Sequence, residues 1–251
     1  METQNNVAEL YSNVSAIQRA RGLDLIHEVQ PKPGDTVLDL GCGTGDLTVE
    51  LARLVGPSGH VFAIDPDVDR LAVAREQNPG EFNNITYIEG RGEDLSMIEP
   101  QSIDLLFSNY VIHWMADKYV LMRGLQHCMK PGGTIACEIS SELTPFLDTV
   151  SKMDAHCERV FLPQMIPFHE HQFRDALTQN AFWVKKGETK DIFAHFDSAD
   201  AFFDWWHATT HGMFNPDVID ENDRRTIQAQ FENGGDVHVS KAVRVIANRL
   251  H

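Results

Sequence analysis

Val37-Leu38-Asp39-Leu40-Gly41-Cys42-Gly43-Thr44-Gly45 joins an apolar run to three glycines spaced by two. The apolar residues from 36 to 40 predict a short buried strand, the glycines a tight turn, and residues 46 to 55 an amphipathic helix. In an open α/β sheet, ligands bind outside the carboxyl ends of the strands, and a glycine turn placed there lets the backbone come close to a ligand. A side chain at Gly41 or Gly43 would intrude on that approach, and glycine tolerates the positive φ such a turn requires. The spacing is GxGxG, and Asp46 stands at the sixth position, where a dinucleotide GxGxxG has glycine. Dinucleotide folds set a pyrophosphate on the helix N-terminus. Asp39 before the turn and Asp46 after it repel a phosphate and suit a cationic ligand.

Outward from this stretch, strands and helices alternate. Residues 7 to 29 carry apolar positions at helical spacing until Pro31 and Pro33 end the pattern. Strands are predicted at 60–64, 85–89, 103–108 and 134–139, with helices at 68–77 and 119–129 and a Lys130-Pro131-Gly132-Gly133 turn before the last strand. This order implies an α/β fold, Rossmann-like and doubly wound on a mostly parallel seven-stranded sheet, with helical cap insertions. The second strand runs into Asp65, twenty residues after Gly45, where a carboxylate accepts both hydroxyls of a ribose. Beyond 140 the alternation weakens: a helix at 169–180, strand-like stretches at 182–187 and 191–196, and a final edge strand at 242–247. Residues 198 to 236 are rich in aromatics and histidines, as in a cap over a pocket. The expected organisation is a single domain over 1–251. It comprises an N-terminal helical cap (1–30), a cofactor-binding core (31–140), and further core elements with a substrate cap (141–251, mainly 141–168 and 198–236).

Composition narrows the function. With 42% hydrophobic and 23% charged residues the chain is an ordinary globular one. Thirty-seven acidic against 21 basic residues give a net charge of −16, a field that repels nucleic acid and anionic membrane surfaces. Cys42, Cys128, Cys137 and Cys157 show neither CxxC nor zinc spacing, and no apolar run approaches the about 20 residues that span a bilayer. Reduced thiols and a cytoplasmic location are expected, with no nucleic-acid or membrane partner.

The VLDLGCGTG segment, Asp65, the strand Asp104-Leu105-Leu106-Phe107-Ser108-Asn109 and the Met129-Lys130-Pro131-Gly132-Gly133 turn together resemble the class I S-adenosylmethionine-dependent methyltransferases over roughly residues 35 to 140. The resemblance implies S-adenosyl-L-methionine as cofactor and S-adenosyl-L-homocysteine as product. That cofactor's sulfonium and ammonium charges agree with the acids flanking the turn. It further implies that Asp39, Gly41, Cys42, Gly43 and Gly45 line the methionine side, Asp65 holds the ribose, Pro66 packs beside adenine, and Asn109 lies near the sulfonium. Many relatives read Gly-Asp-Ala where this chain has Gly90-Arg91-Gly92, so the usual adenine-binding acid is missing and Glu93 or Asp94 beside Gly92 is the expected substitute.

A narrower resemblance is carried by residues 11 to 26 and by Asn109-Tyr110-Val111-Ile112-His113-Trp114, which are similar to juvenile hormone acid methyltransferases and, more distantly, trans-aconitate methyltransferases. It implies that Gln18 and Trp114 hold a substrate carboxylate, with Tyr11 and His113 beside them. Methyl transfer from a sulfonium is an in-line displacement, so the protein's task is to align a nucleophile and exclude water. A carboxylate is already ionised at neutral pH. An amine or hydroxyl acceptor needs a base, for which His113 is the candidate. Trp205 and Trp206 are expected in the cap, one facing an apolar or aromatic acceptor while its neighbour packs inward. His207 and His211 lie at i, i+4 without the glutamate of an HExxH motif, and no metal is expected. The acceptor is a small molecule, and the chain is read as a monomer or homodimer. Two rivals remain at this point: a nicotinamide-dependent oxidoreductase on the same core, and a non-catalytic module that binds the cofactor.

Overall fold

The computed structural model describes residues 17–78, 80–231 and 235–251. Among them seven strands form one sheet in the order β3-β2-β1-β4-β5-β7-β6. The strands are β1 Thr36–Leu40, β2 His60–Asp65, β3 Ile85–Glu89, β4 Ile103–Asn109, β5 Met129–Ser140, β6 Phe182–His195 and β7 Asp236–Arg249. The pairs β1–β2, β1–β4, β2–β3 and β4–β5 are parallel. Strand order reverses between β1 and β4, so the end of β1 stands at the switch point of the sheet.

The helices are α1 (described over 17–29), α2 Asp46–Val55, α3 Val68–Gln77, α4 Lys118–Cys128, α5 Pro145–Met153, α6 Ala155–Val160, α7 Glu170–Gln179, α8 Ala199–Thr209 and α9 Glu221–Phe231. Their starts follow local chemistry: the Asp67 carboxylate accepts the N–H groups of Asp69 and Arg70 to open α3, and Asp117 does the same for Tyr119 and Val120 to open α4.

The chain divides into two interleaved compact units. One holds residues 19–139, 168–189 and 243–251. Its strands bury both faces, which is why β1 and β4 read as continuous apolar runs rather than alternating ones. Leu38, Leu40 and Leu106 enter one buried cluster, while Val37, Leu105 and Phe107 enter another. The period-2 geometry of a strand sends successive side chains to opposite faces. The other unit holds residues 1–18, 140–167 and 190–242. Its aromatics pack among themselves: Phe202 lies 5.2 Å from Phe146 and 5.8 Å from Phe231, and Phe203 6.0 Å from Phe214. Asp154 there accepts the N–H of His156 at 2.7 Å and of Asn215 at 2.8 Å.

Three expectations are corrected. The Lys130–Gly133 turn is not a separate loop but a bulge inside β5: Met129 pairs with Ile103 and Thr134 with Leu105, so the intervening residues loop out, with Gly132 at φ +82°. Lys130 anchors this bulge by donating to Asp104 at 2.7 Å. The two stretches at 182–187 and 191–196 form one strand, β6, and that strand is the sheet edge. The C-terminal strand is longer than expected and lies between β5 and β6, and Val243, Val245, Ile246 and Ala247 are accordingly buried.

Candidate functional site

The carboxyl ends of β1, β2 and β4 carry the site. The turn after β1 is pinned to the end of β2: the N–H groups of Gly41 and Cys42 both donate to the Ile64 carbonyl, at 2.7 and 3.1 Å. Gly41, Gly43 and Gly45 all have positive φ, at 78°, 55° and 88°. Their side-chain freedom differs. A Cβ on Gly41 would lie 2.2 Å from Val111 Cγ2, whereas one on Gly43 would meet nothing within 4 Å. Gly41 thus serves packing against the loop after β4, and Gly43 alone faces open space. Gly45 precedes α2 without any side-chain hydrogen bond capping that helix, leaving the N–H groups of its first turn available to an anionic group.

Asp39 and Asp65 flank the turn. Asp65, 5% exposed, accepts the Gly43 N–H on Oδ2 and the Asp67 N–H on Oδ1, each at 2.9 Å. Each carboxylate oxygen has a second lone pair, so these bonds leave room for ligand hydroxyls. Burial pushes the Asp65 carboxyl above its ordinary value, and the two N–H donors oppose it. Asp39, 2% exposed, accepts the Thr48 hydroxyl at 2.6 Å. Burial raises it to about 7, the Thr48 bond pulls the other way, and Asp65 adds repulsion. A cation arriving beside Asp39 relieves both the desolvation and the repulsion.

A stability prediction follows. The unfolded chain releases the Asp39 proton near pH 4, while the folded chain holds it up to about 7. Between these values the folded state binds more protons, so this group's contribution to ligand-free stability is present below about pH 4 and is lost as pH rises through 7. Denaturant midpoints measured from pH 4 to 8 should carry this downward component, and Asp39→Asn should remove it; identical profiles for the two proteins would contradict the assignment.

Beside the turn opens a groove. Leu40 and Gly41 line it at the end of β1, and Ile64 and Pro66 at the end of β2. Gly92 and Glu93 line it after β3, and Val111, Trp114 and Met115 after β4. Gly92 is wedged under Met115, whose Cε would lie 2.4 Å from an added Cβ. Of the two acids expected near adenine, Glu93 lines the groove, whereas Asp94 is exposed and accepts the Ser96 N–H at 3.0 Å.

Trp114 and His113 belong to a short 3₁₀ turn, Ile112–Trp114, after β4. His113 is 5% exposed, its ring 5.2 Å from that of Trp114 and edge-on to Tyr110 at 6.4 Å. Asn109 ends β4, opposite Glu138 in register. Cys42 is half-buried, and burial together with Asp39 and Asp65 raises its thiol, which makes it a spacer rather than a nucleophile.

Tyr11 lies outside the described residues, and Gln18 falls in the other compact unit from Trp114. Trp206 is withdrawn from the acceptor set: it is 2% exposed, donates to Ser151 Oγ at 3.2 Å and meets the Phe161 ring edge-on, so its indole is satisfied inside its own unit. Trp205 is half-buried, stacked on Trp206 at 5.5 Å. Among the described residues no group of three His, Cys, Asp or Glu side chains is arranged to hold a metal ion, and no helix is long and apolar enough to cross a membrane.

Thr48, Val111 and Met115 had no signal in one sequence, because their roles arise only from contacts across the turn. Gly22 did carry one: a glycine inside a helical pattern marks close packing. An added Cβ there would lie 2.4 Å from Leu47 Cδ1 and 3.0 Å from Asn109 Nδ2, so Gly22 lets α1 close on the start of α2 and the end of β4.

Comparison with known proteins adds the following. Residues 31–194 match a family model described as a methyltransferase domain. A ubiquinone/menaquinone biosynthesis C-methyltransferase UbiE of Vibrio campbellii is 34% identical over 137 residues, covering 53% of this chain and 51% of that protein. Its counterpart in Pasteurella multocida is 35% identical over 124 residues, covering 49% and 45%. The chain thus spans about half the length of the curated relatives it matches. Among solved structures, YcgJ of Bacillus subtilis superposes with a TM-score of 0.66 at 15% identity, over 92% of this chain and 99% of that one. A geranyl diphosphate methyltransferase in complex with S-adenosylmethionine gives 0.63 at 14% identity, over 97% and 90%. At such identities the structural likeness speaks for the fold alone.

Proposed function

The chain belongs to the methyltransferase-domain family, class I and S-adenosylmethionine-dependent, and on that premise we propose that it methylates a small-molecule carboxylate of apolar or aromatic character. The observation that carries the cofactor part is the pair of buried acids around a glycine turn whose Gly43 faces open space. The site fits the group in its chemistry. Asp39 suits an ammonium, the uncapped start of α2 a carboxylate, Asp65 a ribose, and the Pro66–Glu93 end of the groove a purine. When bound, the cofactor supplies a methyl group activated on sulfur. The residues of this chain then have two tasks, to orient and to exclude water. Val111, Trp114 and Met115 give the groove an apolar wall on the acceptor side, which keeps water from competing for the methyl group.

Trp114 supports the acceptor reading: its indole lines the groove, on the turn that also carries His113. A carboxylate acceptor needs orientation and no base, and Trp114, on the groove wall, is the residue proposed to orient it. A second reading, methylation of an amine or hydroxyl with His113 as base, is supported by the contact of its buried ring, 5.2 Å away, with that of Trp114, which lines the groove. The names of the relatives do not decide between the two, since their acceptors differ in chemistry from one another.

Methyl transfer from isotopically labelled S-adenosylmethionine to a panel of carboxylic acids, amines and phenols tests the proposal. Label appearing as a methyl ester of an apolar acid is expected; label found only on amines or phenols would overturn the carboxylate reading, and none on any acceptor would favour a non-catalytic module. Asp65→Ala should separately weaken S-adenosylhomocysteine binding by about 1–3 kcal/mol through lost hydrogen bonds to a charged acceptor. An unchanged dissociation constant would remove Asp65 from the ribose site.

A further inference from the structure

Thr48 lies in the first turn of α2, just after the glycine turn, and its side chain is fully buried. A threonine inside a helix can bond back to the carbonyl one turn earlier. This one donates instead to Oδ2 of Asp39, across the glycine turn, at 2.6 Å. The length is that of a hydroxyl on a carboxylate, and among the described residues no other group donates to the Asp39 side chain. Asp39 is thus a buried acid with one oxygen committed and the other, Oδ1, left for a ligand. The other ionisable groups around it do not favour its charge. Asp65 at the end of β2 repels it, while burial keeps Cys42 in the turn and Tyr87 on β3 in their neutral forms. The guanidinium of Arg75, from α3, lies 5.8 Å from the Tyr87 ring, and Asp46 of α2 accepts the Thr44 hydroxyl at 3.0 Å. Burying an ionised carboxylate is costly unless it is hydrogen-bonded. Before a cation arrives, that bond comes from Thr48.

We propose that Thr48 is a positioning residue for the ammonium end of the methyl donor: by holding Oδ2 it steadies the Asp39 carboxylate and leaves Oδ1 to receive the ammonium. This rests on the S-adenosylmethionine reading above and adds to it a residue that acts through Asp39. Removing the hydroxyl leaves burial and Asp65 unopposed, so the acid gives up its proton only at higher pH.

The test compares S-adenosylhomocysteine, which carries the ammonium, with 5′-methylthioadenosine, which has the same nucleoside but no amino-acid part, by calorimetry from about pH 6 to about pH 8. Asp65 meets the ribose of both ligands, so its titration cancels in the ratio of the two affinities. In the unaltered protein this ratio should rise with pH through about 7 and then level off, because the ammonium binds the ionised form of Asp39. Thr48→Val should move the rise upward by about one pH unit and weaken S-adenosylhomocysteine roughly tenfold at about pH 7, with 5′-methylthioadenosine nearly unaffected. Thr48→Ser should behave as the unaltered protein, and Thr48→Val should leave the ratio unchanged when Asp39 is already asparagine. A merely structural threonine would weaken both ligands alike, so an unmoved pH profile of the ratio in Thr48→Val overturns the proposal. Should that variant not fold, a rise with pH that persists in Asp39→Asn overturns it instead. A ratio independent of pH in the unaltered protein refutes this inference alone, whereas binding of neither ligand refutes the cofactor reading beneath it.

Discussion

Glu138→Ala is expected to destabilise the protein by about 3–5 kcal/mol, the usual consequence of removing one partner from a buried ion pair. The Glu138 side chain is 0% exposed near the end of β5, and both of its oxygens are engaged. Arg21 Nε donates to Oε1 and Arg244 Nε to Oε2, the latter at 2.6 Å. Arg244 continues the cluster to Glu28 at 3.2 Å and to the Arg21 carbonyl at 3.1 Å. One carboxylate thereby joins α1, β5 and β7. The Glu138 backbone carbonyl also accepts the Tyr110 N–H at 2.7 Å, holding Tyr110 at φ +59°, a left-handed conformation that non-glycine residues adopt at a cost. Alanine would leave two guanidinium groups, with side chains 18% and 8% exposed, without their shared counter-charge. Glu28→Ala should cost far less, because its pairing with Lys186 is more open to solvent. Denaturant unfolding of the two variants measures the contrast. Equal, small losses would show that Glu138 is not the centre of the cluster.

Gly41→Ala and Gly43→Ala should separate folding from ligand binding. At Gly41 the new methyl meets Val111 at 2.2 Å on a backbone with φ +78°, so overpacking of about 1–3 kcal/mol adds to left-handed strain of about 1–2 kcal/mol. At Gly43 the strain remains but the clash is absent. Thermal unfolding should therefore penalise Gly41→Ala clearly more than Gly43→Ala. Binding of S-adenosylhomocysteine should fall in both, in Gly43→Ala because the methyl occupies space the ligand needs. Wild-type affinity in Gly43→Ala would mean that the open side of the turn is not where the ligand lies.

The parts of this fold that were legible in the sequence are those specified by local chemistry. The apolar run 36–40, the glycine turn and Asp65 could be read residue by residue, because a buried parallel strand, a positive-φ turn and a carboxylate at a strand end each have their own signature. The errors arise where long-range pairing overrides local appearance. Lys130-Pro131-Gly132-Gly133 has turn composition, yet Thr134 re-enters the ladder opposite Leu105 and makes it a bulge. The C-terminal strand looked like an edge because it comes last, and only pairing on both sides could place it inside the sheet. At the site, Glu93 lines the groove and its neighbour Asp94 is exposed, a difference in side-chain direction that two adjacent acids in a sequence cannot show. The Arg21–Glu138–Arg244 cluster joins residues more than a hundred positions apart in sequence, and no local pattern marks it.

The central claim is that the turn after β1 receives a positively charged adenosyl donor and not a dinucleotide. Calorimetric titration of the unaltered protein with S-adenosylhomocysteine and with NAD, in the same buffer, tests it most directly. Saturable one-to-one binding of S-adenosylhomocysteine with no detectable heat from NAD is the expected result. Tight binding of NAD with none of S-adenosylhomocysteine would contradict it.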